Sequence, residues 1–166
     1  ACKALAEWKG YYEKIFSNQI KNYFIENNFD FSDADIDIRR KDREGNHPEI
    51  HELGDYDVIG LDSKNKRVFI IECKVLQPVG SVFEHSKEQE RFFQKEKFDE
   101  KFQKRIDYFS SVYRSFFNNL GYSINENDEY DILSYMVVNK VFASYYKEIK
   151  FPIITFDELK KIVEGD

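Results

Sequence analysis

Two runs restrict this chain more than anything else in it: Asp55 to Leu61 (DYDVIGL) and Arg67 to Leu76 (RVFIIECKVL), separated by Asp-Ser-Lys-Asn-Lys. The density of β-branched and aromatic residues reads as strand, and the separator has turn composition, so the pair predicts a hairpin. Both faces of the second run are apolar apart from Glu72 and Lys74. Such a strand needs cover on both sides, which places it inside a sheet flanked by two layers. With the turn centred between Lys64 and Asn65, facing residues have indices summing to 129. Asp57 then lies opposite Glu72 and Asp55 opposite Lys74, with facing Cβ atoms roughly 4.5–5.5 Å apart. By strand alternation all four would share one face, and a slip of a single residue would separate them.

The rest of the pattern supplies the covering layers. Leu5 to Ile25 carries Trp8, Tyr12, Ile15, Phe16, Ile20, Tyr23 and Phe24 at helical steps, with Asn27 and Asn28 as its end. Ala34 to Arg40 reads as an edge strand, and Lys41 to Pro48, broken by Gly45 and Asn46, as a turn or loop. Ser86 to Gln89 has capping-box form and opens a long helix, continued by Phe98, Phe102, Ile106, Phe109, Tyr113 and Phe116. Gly121 is placed to stop it. A further strand is expected within Tyr130 to Phe142 and a short one at Pro152 to Thr155. Thr155 and Glu158 then repeat the capping-box spacing before a terminal helix. The order α-β-β-β-α-β-β-α predicts an α/β fold, a mixed sheet with helices on both faces. At 166 residues one domain is the expectation.

Composition narrows the setting. Mean hydropathy is −0.64, yet aromatics make up 17% of the chain, enough large side chains to offset ordering entropy. Seven Gly, three Pro and two Cys exclude collagen-like, low-complexity and disulfide-scaffold classes. The longest uncharged apolar run, Val68 to Ile71, is far too short to span a bilayer. Two distant cysteines fit a reducing compartment, so a cytoplasmic location with no membrane partner is expected. The chain starts at Ala1 without Met, which reads as a processed form or a fragment of a longer protein. A net charge of −6 argues against gripping nucleic acid by bulk positive charge. A nuclease with basic residues clustered around an acidic metal site is still compatible with it.

Two carboxylates facing each other at a partly buried site repel unless a cation intervenes. Mg²⁺ suits such a pair, because it takes oxygen ligands and is held by one or two carboxylates plus waters and substrate phosphate. Lys74 beside them would orient or deprotonate an attacking water, or stabilise charge on a phosphoryl transition state. Asp55 reads as a partner for Lys74 rather than a ligand.

Asp57 followed by Ile71-Glu72-Cys73-Lys74 resembles the signature of the PD-(D/E)XK nuclease superfamily, which includes restriction endonucleases, Mrr-like enzymes and Holliday-junction resolvases. The resemblance covers roughly residues 8–142 and is sharp between Asp55 and Lys74. It implies a restriction-endonuclease-like αβββαβ core. It implies Asp57 and Glu72 as metal ligands, the Cys73 backbone carbonyl completing the metal shell, and Lys74 as the catalytic lysine. Tyr56 stands where the family's proline would be. Gly10 and Glu13 look like the first-helix glycine and glutamate of Mrr-like and resolvase members, which makes Glu13 a further acidic contributor. Gln103 and Tyr108 resemble a Q…Y element of exonuclease-like members at altered spacing. The activity implied is Mg²⁺-dependent phosphodiester hydrolysis, with Mn²⁺ as a substitute ion, leaving a 3′-hydroxyl and a 5′-phosphate. DNA is favoured over RNA as substrate, with a homodimer or a larger assembly as context. The alternative is a nuclease-fold module without activity, used for nucleic-acid or protein binding.

Other candidates read as ordinary. The Cys73 side chain faces away from Glu72 and reads as core, not as a nucleophile. His47 and His51 lack partners for a zinc site, and His85 is isolated. The basic run Lys87, Arg91, Lys95, Lys97, Lys101, Lys104 and Arg105 is interleaved with acids. It reads equally as a solvated helix face or as a track for a phosphate backbone.

Overall fold

In the computed structural model, residues 2–38, 53–76, 81–140 and 149–165 are described, without the side chains of Cys2, Leu5 and His85. His47, His51 and the Lys41 to Pro48 turn lie outside these residues. Helix α1 (Cys2–Glu26) leads into strands β1 (Phe31–Ile36), β2 (Tyr56–Asp62) and β3 (Arg67–Lys74). Helix α2 (Val82–Glu90) passes through a π-helical turn at Arg91–Lys95 into α3 (Phe98–Asn119). Strands β4 (Asp131–Val138) and β5 (Ile153–Thr155) and helix α4 (Phe156–Glu164) complete the order.

The strands form one five-stranded mixed sheet in the order β1-β2-β3-β4-β5. The first three are antiparallel, and β4 and β5 run parallel to β3. As its two apolar faces require, β3 is the central strand, with Val68 to Cys73 buried. One face carries Ile59, Leu61, Val68 and Ile70 against Phe102, Phe109 and Phe117 of α3. The other carries Val58, Phe69, Ile71 and Cys73 against Phe16, Ile20 and Phe24 of α1 and Leu159 of α4. The molecule is therefore α/β with helices on both faces of the sheet.

Gly60 shows how closely α1 approaches. Phe24 and Phe29 stack at 4.4 Å, and a Cβ on Gly60 would lie 2.8 Å and 2.9 Å from their rings. Asn28 adopts φ 63 and Gly121 φ 95, left-handed stops at the positions the sequence suggests. Thr155 and Glu158 form the expected reciprocal cap of α4.

The helix after β3 departs from expectation. It begins at Val82 rather than at Ser86, because the Ser81 hydroxyl accepts from Glu84 N at 3.2 Å and caps it. It is also not one helix, since Lys97 at φ 50 breaks it. On a straight helix Phe92 and Phe93 could not be buried together with the stripe starting at Phe98. The break folds Phe92 back onto Phe98, with ring centroids 5.1 Å apart.

Candidate active site

The β2–β3 ladder has the expected register, from Asp62↔Arg67 to Val58↔Ile71, every pair summing to 129. Beyond Val58 the regular alternation stops. Tyr56 packs in the α3 layer with Ile59, although Val58 between them packs in the α1 layer. The neighbouring strand shows the cause: Asp35, between Ala34↔Val58 and Ile36↔Tyr56, is left-handed at φ 53 and turns the edge over. Asp57 is thus not half of a flat cross-strand pair with Glu72. Its carboxylate swings across the end of the ladder and accepts from the Cys73 N–H at 2.7 Å, where a strand carbonyl would otherwise accept.

Two further amides at this end of β3 are served by side chains. Val75 N donates to Glu13 Oε1 of α1 at 3.4 Å, and Leu76 N donates to Asn139 Oδ1 at 2.7 Å. The Asn139 amide returns a bond to Leu76 O at 3.1 Å. The sequence predicts strand to Leu76, but β3 ends at Lys74 because these side chains replace ladder partners. The parallel β3–β4 pairing ends here, at Lys74↔Val138, and the carboxyl ends of parallel strands are where α/β sheets open crevices for ligands.

Glu72 is the hub, and its side chain is 5% exposed. Lys74 Nζ lies 3.2 Å from Oε1, and Arg105 Nη2 of α3 lies 3.0 Å from Oε2. Arg105 also donates from Nη1 to Leu53 O at 2.7 Å, and its own carbonyl accepts from the Tyr56 hydroxyl at 2.8 Å. The Lys74 ammonium rests 4.1 Å from the centroid of the Phe98 ring, a cation–π contact. Lys74 thus pairs with Glu72, where the sequence offers Asp55 for that role; Asp55 stands exposed ahead of β2.

The electrostatics follow from burial and crowding. Burial, then the nearby Glu72 carboxylate, push Asp57 up to about 8, and the Cys73 N–H and Lys74 only partly offset this. Burial likewise raises Glu13, against the pull of Lys74. Burial works against the Lys74 ammonium, but Glu72, Glu13 and Asp57 outweigh it and hold its proton more tightly than usual. Lys74 is therefore a fixed cation near neutral pH, unsuited to removing a proton. Burial lifts the Cys73 thiol well above its ordinary value, in keeping with its place in the core.

The residues predicted at the site thus divide. Asp57, Glu72, Lys74 and Glu13 form one electrostatic cluster. Gly10 lines the cleft beside them. Gln103 bonds Asp107 at 2.8 Å on the exposed side of α3, and Tyr108 packs against the core, so neither joins the cluster. Arg105, which in the sequence reads as one cation in a basic run, does join it. A signal was present: Arg105 lies three residues after Phe102 and four before Phe109, on the inward stripe of α3.

Among the described residues no three His, Cys, Asp or Glu side chains gather as a ready-made metal cage. The donor set that does exist, two carboxylates and a strand-end backbone, fits Mg²⁺, which keeps most of its waters, better than Zn²⁺ or Ca²⁺. Lys74 and Arg105 occupy one acceptor site on each Glu72 oxygen, and a carboxylate offers about four. A scan against protein-family models, a search of curated proteins and a search of solved structures each found no match.

Proposed function

We propose that this protein is a metal-dependent nuclease, a Mg²⁺-requiring phosphodiesterase with a restriction-endonuclease-like core, acting on DNA in preference to RNA. One observation carries the reading. Asp57 accepts from the Cys73 N–H at the end of β3, and burial, then the nearby Glu72 carboxylate, raise its proton affinity to about 8, so a cation held there would take the place of that proton. Nearby Lys74 and Arg105 are already committed to Glu72.

Asp57 and Glu72 would hold the ion, with the Cys73 carbonyl as a third oxygen. A divalent cation there supplies Lewis acidity toward a phosphoryl oxygen and acidifies water for in-line attack on phosphorus. Lys74 contributes a fixed positive charge beside the reacting phosphate, where negative charge grows in the transition state. Glu13 favours the charged form of Lys74 electrostatically and accepts from the Val75 amide at the strand end. Arg105 anchors Glu72 from the α3 side, so that its carboxylate is oriented before any ligand arrives.

A second reading has its own observation. Both Glu72 oxygens are bound by cations and the Glu72 side chain is buried, as it would be in a nuclease fold kept as a binding module. Cleavage separates the two. Incubated with supercoiled plasmid and Mg²⁺, the natural chain should nick or linearise it, and Asp57→Asn and Glu72→Gln should each lower the rate by at least 100-fold while keeping a cooperative melt. Absence of Mg²⁺-dependent cleavage by the natural chain, or equal cleavage by both variants, would leave the module reading standing.

A further inference from the structure

Beside the acidic cluster, a cleft of about 440 Å³ opens between α1 and the π-helical turn. Lys9, Gly10 and Glu13 of α1 line one wall, and Arg91 and Glu96 line the other. Lys74 and Phe98 also border it, so the cleft reaches the candidate site directly. Three cations meet two carboxylates here, in a chain whose net charge is −6.

The placement of these cations is the unusual part. The π-helical turn brings Arg91 to the cleft, with the Glu96 N–H returning to Arg91 O at 2.9 Å. Arg91 Nε lies 3.4 Å from Glu96 Oε1. Lys9 lines the same cleft as Arg91 and holds its proton less tightly than usual, first through burial and then through Arg91, with Glu13, Glu96 and Glu88 acting against the shift. Two like charges held toward each other in a concave site are poised for an anion, as Asp57 and Glu72 are for a cation. Gly10 leaves that wall open, with no protein atom within 4 Å of where its Cβ would stand.

We infer that this cleft is where a nucleic-acid strand enters, with Lys9 and Arg91 gripping a backbone phosphate next to the one presented to Lys74. The inference rests on the nuclease reading and names the surface through which the substrate would reach that site. It also divides the basic run: Arg91 contacts the strand, Arg105 belongs to the Glu72 hub, and Lys95 and Lys97 lie near Glu90 and Glu100 at the surface.

Binding, not cleavage, is the test, so that the two readings can fail separately. Fluorescence anisotropy of a labelled DNA oligonucleotide would be followed with the full chain in EDTA over a range of salt. The Lys9→Ala/Arg91→Ala double variant should bind about tenfold more weakly, and its log–log salt slope should fall by about 2, one unit for each cation removed from the phosphate backbone. Gly10→Leu meets no protein atom at its Cβ, so it should fold and weaken binding by filling the cleft. Thermal melts of each variant verify folding. Absence of binding by the natural chain at low salt, or an unchanged affinity and slope in the folded double variant, would overturn the inference. Loss of binding in the double variant would uphold the grip even if plasmid cleavage were never seen.

Discussion

Replacing Arg105 with leucine should destabilise the protein by about 3 kcal/mol, and the figure follows from what the guanidinium touches. Its Nη2 lies 3.0 Å from a Glu72 oxygen, with the two side chains 11% and 5% exposed. Removing one partner of a buried ion pair costs about 3–5 kcal/mol, because the other charge is left behind. Lys74 stays 3.2 Å from the other oxygen, so the lower part of that range applies. The Leu53 carbonyl also loses a donor at 2.7 Å, worth about 1 kcal/mol, and leucine packing against Phe102 and Phe109 recovers part of it. For a chain of 166 residues a loss of about 3 kcal/mol lowers Tm by about 6–12 °C. Urea melts of Arg105→Leu, Glu72→Gln and the double variant at pH 7 give the cycle. The double variant should be more stable than the sum of the single losses implies, by about 1–2 kcal/mol. A loss under about 0.5 kcal/mol for Arg105→Leu would show that the Glu72 hub is not held from α3 and that its carboxylate is not oriented by Arg105.

Gly60→Ala should cost about 1–3 kcal/mol in a urea melt, because its Cβ would lie 2.8 Å from the Phe24 ring. Gly10→Ala, with open space at its Cβ, should instead gain about 0.5–1 kcal/mol in α1. Stability should also depend on pH in a stated direction. Asp57 sits at about 8 when folded, against an ordinary carboxylate near 3.8, so the folded state binds the extra proton. Its contribution is complete below about pH 4 and is lost as pH rises through 8, with Glu13 acting in the same sense. Urea midpoints in EDTA should therefore fall from pH 5 to pH 9, and Asp57→Asn should flatten the decline.

The parts of the fold readable from sequence were those set by local periodicity and turn chemistry. Strand β3 declared its central position through two apolar faces, and the turn from Asp62 to Lys66 fixed the β2–β3 register as far as Val58↔Ile71. The caps at Thr155 and Gly121 were legible because each depends on residues within one turn of chain. What was missed depends on residues far apart in sequence. Alternation at Tyr56 fails because Asp35, on the neighbouring strand, turns left-handed. The early end of β3 depends on Glu13 and Asn139, which lie 62 and 63 residues from the amides they serve. The break at Lys97 reflects the need to bury Phe92 and Phe93 while Phe98 packs against them, a tertiary demand that overrides a favourable helical pattern. Within the candidate site, Asp57, Glu72 and Lys74 were singled out by type and spacing, and Glu13 by the resemblance to the first helix of Mrr-like and resolvase members. Arg105 was hidden because a cation in a run of cations looks like surface until the helix is seen to turn it inward.

Joint uptake of a divalent cation by Asp57 and Glu72 is the central claim. Mn²⁺ titration at pH 7, followed by the loss of its free-ion paramagnetic resonance signal and by proton release into weak buffer, measures this. Asp57 is mostly protonated at that pH, so one bound ion should expel about one proton, with both signals lost in Asp57→Asn and binding much weakened in Glu72→Gln. Millimolar Mn²⁺ left entirely free, or bound equally well by Asp57→Asn, would contradict it.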